Sequence, residues 1–346
     1  MNAKLGFVLQ ALLAALFFGA SAPIAKLLLG DVPPILMAAF LYLGSGTGIS
    51  LIKLYQRFSN HQTEAGIKRP DVGWLAGAIF TGGILAPIIL MISLKNTPAS
   101  TASLLLNFEG VGTTVIALAF FHESISRRAL FAILAITLAS IFLSTNFQSG
   151  FSFSLGALGI LLACFLWGVD NNFTRNISAK DPLTIVAWKG LVAGSFSLLL
   201  GLGLGQRPPA LTVILSILLL GFISYGLSTM LFIYSMRGLG AARTSALYGT
   251  APLAGVILSI IIFHDPLTIL FVIAAVLMVV GALLLANEEH AHFHIHMPVV
   301  HEHRHSHDDF HPHGHEEQVH SHEHEHPQTE HEHGHMPDIH HRHEDE

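Results

Sequence analysis

A chain that carries one apolar run of bilayer-spanning length after another can fold in lipid only as helices or a closed barrel. Hydrocarbon offers exposed backbone N–H and C=O groups no partner. A helix needs about 20 apolar residues to cross roughly 30 Å of hydrocarbon. Ten such runs follow one another in this sequence, at 5–29, 34–54, 72–94, 98–120, 126–146, 155–177, 182–205, 211–236, 240–263 and 267–286. Pro33-Pro34, Pro98, Pro182, Pro208-Pro209 and Pro266 fall between or at the ends of these runs, where a residue without an N–H is tolerated. Only 12% of side chains are charged and 51% are hydrophobic, against about a quarter charged in soluble domains, which excludes a soluble enzyme. The first run resembles a secretory signal, with Lys4 ahead of it and Ala20-Ser21-Ala22 late in it. It nevertheless continues to Leu29 and has an internal counterpart, so it is read as a retained span.

Charge divides the chain in two. Residues 287–346 hold 15 Asp and Glu, 2 Arg and 21 of the 24 histidines, a net charge of −13 with neutral His; residues 1–286 carry +7. No basic patch suited to nucleic acid is present. In the loops, Lys4, Lys53, Arg57, Lys68, Arg69, Arg127, Arg128, Arg175, Lys180, Arg237 and Arg243 fall on one side of the membrane. Lys26, Lys95 and Arg207 fall on the other. Positive loops stay cytoplasmic, so both termini are expected in the cytoplasm. Cys164 is the single cysteine, inside an apolar run, and reads as a small buried residue.

The body repeats itself. Phe18-Gly19, Lys26 and Pro33 align at an offset of 149 with Trp167-Gly168, Arg175 and Pro182. Lys95 to Glu123 aligns at an offset of 142 with Arg237 to Asp265, placing Phe121-His122-Glu123 on Phe263-His264-Asp265. Each half holds five runs, and an odd number forces the halves into opposite orientations, the plan of carriers whose site lies near the midplane. The expected fold class is therefore an all-α membrane protein: ten transmembrane helices as two inverted five-helix repeats, 1–146 and 147–287, with a disordered His-rich tail, 288–346. Opposite orientations also put His122 and His264 on opposite faces, which excludes a joint metal site.

Two halves whose fourth spans close on Phe121-His122-Glu123-Ser124 and Phe263-His264-Asp265-Pro266 resemble the EamA family of the drug/metabolite transporter superfamily. The stretch from Ala241 through Tyr248 and Ala251-Pro252-Leu253 to Asp265 is similar to that family's ninth helix, with Gly110 standing where the first half would match Pro252. The resemblance implies a polytopic carrier that moves small metabolites, often outward, without ATP. No nucleotide-binding or hydrolase motif is present, so no enzyme activity and no cofactor is expected.

Few polar groups lie inside the runs. Glu109 falls at the midpoint of the fourth, where a carboxylate can gain and lose a proton and so couple transport, with Asn107 and Thr113 nearby. The alternative is a neutral carboxyl bridging helices. Asp170 opens the polar run Asp170-Asn171-Asn172-Phe173-Thr174, and its candidate partner is Lys189, as a functional or a purely structural ion pair. Trp167, Trp188, Asn171, Tyr225, Tyr234, Tyr248 and Pro252 complete a candidate substrate cavity, and Arg175 and Lys26 reach the interface.

The tail alternates. His301, His303, His305 and His307, His322, His324 and His326, and His331, His333 and His335 place imidazoles at every second residue, interleaved with carboxylates. Imidazole suits Zn, Ni, Co and Cu ions, and a segment this polar cannot bury a core. Storage, buffering or a pH-responsive polyelectrolyte are its other readings. Together these features predict a carrier of the bacterial cytoplasmic membrane whose partners are the bilayer, a small organic solute that it exports, and transition-metal ions at the tail. Efflux of a divalent metal or its complex, or a membrane metal sensor without transport, are the alternatives, and a homodimer is left open.

Overall fold

The computed structural model describes residues 3–30, 32–58, 65–121, 127–146, 152–177, 180–239, 244, 247–286, 290–296, 299–306, 319–326 and 329–335. His307, Glu123 and Arg243 lie outside them, as does the 287/288 boundary. The body is helical: α1 (Ala3–Gly19), α2 (Ser21–Leu28), α3 (Pro34–Phe58), α4 (Asp71–Ala78), a π-helical segment (Ile79–Leu85), α5 (Ala86–Lys95), α6 (Ala99–Leu105), α7 (Phe108–Phe121), α8 (Arg127–Ser144), α9 (Leu155–Arg175), α10 (Pro182–Gly203), α11 (Leu211–Gly221), a second π segment (Phe222–Leu227), α12 (Ser228–Leu239), α13 (Ala251–Phe263) and α14 (Ile269–Ala286). Two residue pairs, β1 (Thr145–Asn146) and β2 (Ser152–Phe153), join antiparallel between α8 and α9.

Among the described residues seven helical stretches are long and apolar enough to cross a membrane: Leu5–Leu28, Pro34–Phe58, Asp71–Lys95, Ala99–Phe120, Leu155–Arg175, Pro182–Gly203 and Leu211–Ser235. The three remaining sequence runs appear as shorter apolar helices, Leu130–Leu143, Ala251–Phe263 and Ile269–Gly281. The chain is thus a multi-pass membrane protein, with large side chains such as Leu51, Phe80, Phe131, Leu199 and Ile261 exposed outward, as contact with acyl chains requires.

Helix ends follow local chemistry. Pro34 and Pro182 begin α3 and α10, where the missing N–H has no intrahelical acceptor. Asp181 caps α10 through a hydrogen bond from the Leu183 N–H. His264 ends α13 in the left-handed conformation (φ 53°).

α10 packs along α3, α14 along α8, α9 along α7 and α5, and α1 along α12 and α13. Two glycines matched in the repeat make equivalent close approaches. A Cβ on Gly19 would lie 2.1 Å from the Ala251 oxygen, and one on Gly168 would lie 2.5 Å from the Gly112 carbonyl carbon. Backbone therefore meets backbone where α1 crosses the start of α13 and where α9 crosses the start of α7.

Four segments of the tail are among the described residues, each in extended backbone. β3 (His290–His296) pairs antiparallel with β6 (Thr329–His335), and β4 (Val299–Ser306) with β5 (Val319–His326). Strict alternation is a strand period as well as a polar composition.

Candidate functional site

Four irregularities interrupt the helices of the bundle. The fourth run breaks at Leu106-Asn107, between α6 and α7, and the ninth turns at Gly249-Thr250, just before α13. At an offset of 142 the first break falls on Tyr248-Gly249. The third and eighth runs carry the π segments, which coincide at the same offset to within a residue. In the first of these, the Ala86 N–H bonds the Thr81 oxygen five residues back. The next π bond would run from residue 87 to the Gly82 carbonyl, but residue 87 is proline and has no N–H. The Gly82 oxygen is thus left open toward the bundle. It accepts from the Tyr42 hydroxyl at 2.7 Å and from the Trp167 indole N–H at 2.9 Å, which satisfies a buried acceptor that hydrocarbon could not.

Gly82 also admits Asp170. A Cβ on Gly82 would lie 1.9 Å from the carboxylate, so only glycine leaves room for it. Asp170 is buried on α9, and its Oδ2 forms an ion pair with Lys189 of α10 while Oδ1 accepts from Thr174 Oγ1 at 3.1 Å. The pair expected from sequence is therefore present. Lys189 keeps 21% of its side chain exposed and Asp170 only 3%.

Glu109 sits in the first turn of α7, just past the break, where the helix N-terminus favours negative charge. Its Oε1 accepts from Asn171 Nδ2 at 2.9 Å, and the same amide reaches Thr113 Oγ1 at 3.1 Å. Asn172 Nδ2 donates to the Thr113 and Gly168 carbonyls, which locks α9 against α7. Cys164 points its thiol at the Leu105 carbonyl, 3.5 Å away, so it also helps to satisfy the break. Glu109 is partly exposed, and no ion pair to it is found among the described residues. Asp170 and Lys189 nevertheless lie within its electrostatic reach.

Aromatic rings continue from this centre. Tyr42 lies 5.7 Å from Tyr225, Tyr225 6.1 Å from Phe18, Phe18 5.6 Å from Tyr248, and Tyr248 4.8 Å from Phe232, all measured between ring centroids. The Tyr248 hydroxyl is 3.4 Å from Ser228 Oγ, which itself bonds the Ala14 carbonyl. Pro252 is buried in the first turn of α13 beside the turn at Gly249.

The structure thus brings together Glu109, Asn171, Asp170, Lys189 and Trp167, and places Tyr248 and Pro252 at the equivalent break. Asn107 contributes through its backbone, accepting from the Gly110 N–H. Trp188, grouped with the cavity from sequence, is 54% exposed and faces away, because it is one helical step from Lys189. Tyr234 instead accepts from Gln56 Nε2 at 3.1 Å. Sequence reasoning missed Tyr42 and the Gly82 carbonyl; the signal was Gly82-Gly83 followed by Pro87 inside one apolar run. Of the tail histidines, the described ones belong to β3–β6 by backbone only.

Polar links close both ends of the bundle. At one, Lys53 bonds Asp181 at 2.7 Å and also Thr184, and Lys180 lies 3.7 Å from Asp71. At the other, Asp265 accepts from the Ser100 N–H at 3.0 Å and hydroxyl at 2.7 Å, and Lys26 donates to the Leu94 carbonyl at 3.0 Å and to that of Thr97.

The EamA-like transporter family model matches this chain twice, over residues 5–145 and 154–287. An uncharacterized transporter of Methanothermobacter thermautotrophicus is 28% identical over 289 residues, which are 79% of this chain and 83% of that protein. One solved crystal structure superposes with a TM-score of 0.59 over 81% of this chain and 97% of its own, at 20% identity, a likeness of fold alone. With both family matches falling on the helical body and together taking in its broken and π-helical segments, the chain belongs to the EamA-like transporter family.

Proposed function

We propose that this chain is a secondary active transporter that exports a small organic solute across the bacterial cytoplasmic membrane, with Glu109 as the proton-coupling group. Its body is read as ten spans in two inverted five-helix halves, 1–146 and 147–287, with both termini cytoplasmic. The observation that carries this reading is the meeting of two interrupted helices at one polar centre, since non-helical backbone at membrane depth persists only where protein or water lines it. The shared offset of 142 between the irregular segments supports the two-fold plan. Aromatic walls beside two carboxylates and one ammonium suit an organic solute better than a bare metal, which would want several oxygen or imidazole ligands. The tail, 288–346, is read as a cytoplasmic segment that binds Zn, Ni, Co or Cu ions.

Glu109→Gln tests the coupling. Gln keeps the shape and accepts from Asn171 but carries no exchangeable proton. In proteoliposomes loaded with labelled amino acids and amines, a pH gradient should drive uphill movement through the native protein and not through the variant. Downhill exchange should survive in both. Uphill movement at the native level in the variant would make Glu109 structural.

A further inference from the structure

The pairing of the tail strands constrains how a metal is held there. β3 with β6 and β4 with β5 follow one common register, which sets His290 opposite His335 at one end and Ser306 opposite Val319 at the other. In the sequence, the gap between β3 and β4 holds Pro298 and the gap between β5 and β6 holds Pro327, at numbers that the same register would set opposite each other. Proline cannot donate to a ladder, so the letters of both arms interrupt pairing at one rung.

Charge alone would not choose this register. β4 and β5 set His301, His303 and His305 opposite His324, His322 and His320, and Glu302 opposite Glu323. In β3 and β6, His292 stands opposite His333 and His294 opposite His331. A slip of one residue would instead oppose His301 to Glu323 or Glu325, and Glu302 to His322 or His324. Unlike charges stabilise a rung and like charges destabilise it, so something other than side-chain charge rewards His opposite His. A bound cation does.

Residues directly opposite hold their Cβ atoms about 4.5–5.5 Å apart, whereas the next His along the same strand is about 7 Å away. An ion that takes imidazole nitrogen at about 2.0–2.1 Å therefore finds its second ligand across the ladder. Two neighbouring His rungs share a face and offer the four nitrogens of a tetrahedral site. We infer that transition-metal ions are the cross-links of a single tail hairpin, each held by histidines opposite one another on the arms 290–306 and 319–335, so that the arms pair when metal binds. This deepens the reading of the tail as a metal-binding segment and rests on it. Imidazole selects Zn, Ni, Co and Cu over Ca and Mg, which take oxygen ligands.

The test uses the full chain in detergent at about pH 7.5, where imidazole is neutral, with Zn as the diamagnetic probe. Nitroxide labels on Ala291→Cys and Gly334→Cys, opposite positions of the β3–β6 ladder, report pairing through dipolar broadening, and Cys164 is buried and stays unlabelled. Zn should broaden the spectrum, EDTA should reverse it, and Ca or Mg should leave it sharp. Chains labelled at one position only, or at Ala291→Cys with Ser321→Cys, far apart in the register, should stay sharp throughout. Titration calorimetry then counts the ions. His303→Ala and His322→Ala should each remove about one ion, and the two together no more than either alone, because they empty the same site. His303→Ala with His331→Ala, on different ladders, should remove about two. Broadening that persists in EDTA, broadening in singly labelled chains, or losses that add for His303 and His322 overturns the inference. The parent reading fails separately. A full chain that takes up no more Zn than a chain ending at Glu289 removes metal binding and the hairpin together, whereas Zn uptake without broadening removes the hairpin alone.

Discussion

Lys189→Met takes away the cation bonded to Asp170 while keeping the length of the side chain, and the buried carboxylate is then left without that partner. Breaking a buried pair from one side costs about 3–5 kcal/mol, because the remaining charge stays desolvated. The reverse substitution, Asp170→Asn, should cost less. Lys189 is 21% exposed and can swing its ammonium toward solvent or Glu109, whereas Asp170, at 3%, cannot turn away. Replacing both, Lys189→Met with Asp170→Asn, removes the pair with its desolvation and should recover most of the loss. The coupling between the sites is then of order 2–4 kcal/mol. At about 2–4 °C per kcal/mol for a body of this size, Lys189→Met lowers the unfolding midpoint by of order 10 °C and the double variant by a few degrees. Thermal unfolding of the purified protein in detergent, followed by loss of the monodisperse peak on size exclusion, reads all four proteins side by side. If Lys189→Met unfolds with the native protein, or the double variant loses the sum of the two singles, the pair is not the buried, coupled unit described and the reasoning fails.

Gly82→Ala drives a methyl group into the Asp170 carboxylate and should lower both the unfolding midpoint and transport. Gly66→Ala, where nothing lies within 4 Å of the added carbon, should be close to neutral, and equal midpoints for the two would refute the role of the close approach. Asp181 lies outside the spans: burial pushes its carboxyl up, but Lys53, Thr184 and the Leu183 N–H outweigh this and hold it below the ordinary 3.8. Its stabilisation is therefore full above that value and is lost as pH falls through the lower folded value. Native protein should exceed Asp181→Asn in stability at pH 7, and the gap should close below about pH 4; an unchanged gap would contradict the assignment. A chain ending at Glu289 should insert and unfold like the full chain but bind no Zn or Ni at pH 7.5. The full chain should bind several ions at that pH and release them near pH 5 as imidazoles protonate, as titration calorimetry would show.

How much of this could be read from the letters depended on which rule dominated. Lipid allows little polar surface, so the apolar runs and the prolines at their ends announced the helices, and an acid and a base inside adjacent runs announced the Asp170–Lys189 pair. Asn171 followed for the same reason, as an amide placed beside that acid. Tyr42 did not stand out, because a tyrosine in an apolar run reads as an interfacial anchor, and its partner is a carbonyl that no letter marks. Trp188 failed for a geometric reason: adjacency in sequence is a turn of about 100° on a helix, so the neighbour of Lys189 faces lipid. Pro87 inside a run suggests a kink, but whether the chain kinks or widens into a π turn depends on which donors the neighbouring helices supply to the carbonyl left open.

That choice ties fold to function at Gly82. A kinked α-helix would leave the Gly83 carbonyl without its i+4 donor, whereas the π register moves the orphan to Gly82, where Tyr42 and Trp167 both reach it. The eighth run reaches a π register at nearly the same place without a proline, and the Ser224 hydroxyl at the position equivalent to Gly82 is buried with no partner among the described residues. One half thus fills its open site with two donors from α3 and α9, while the other presents an unsatisfied hydroxyl one residue from the Tyr225 ring. A transporter must hold a centre that is stable empty and still has bonds to offer a solute. The Gly82 carbonyl supplies the first, fixing the wall that carries Asp170 through Tyr42 and Trp167, and the equivalent Ser224 hydroxyl is a bond still unmade among the described residues.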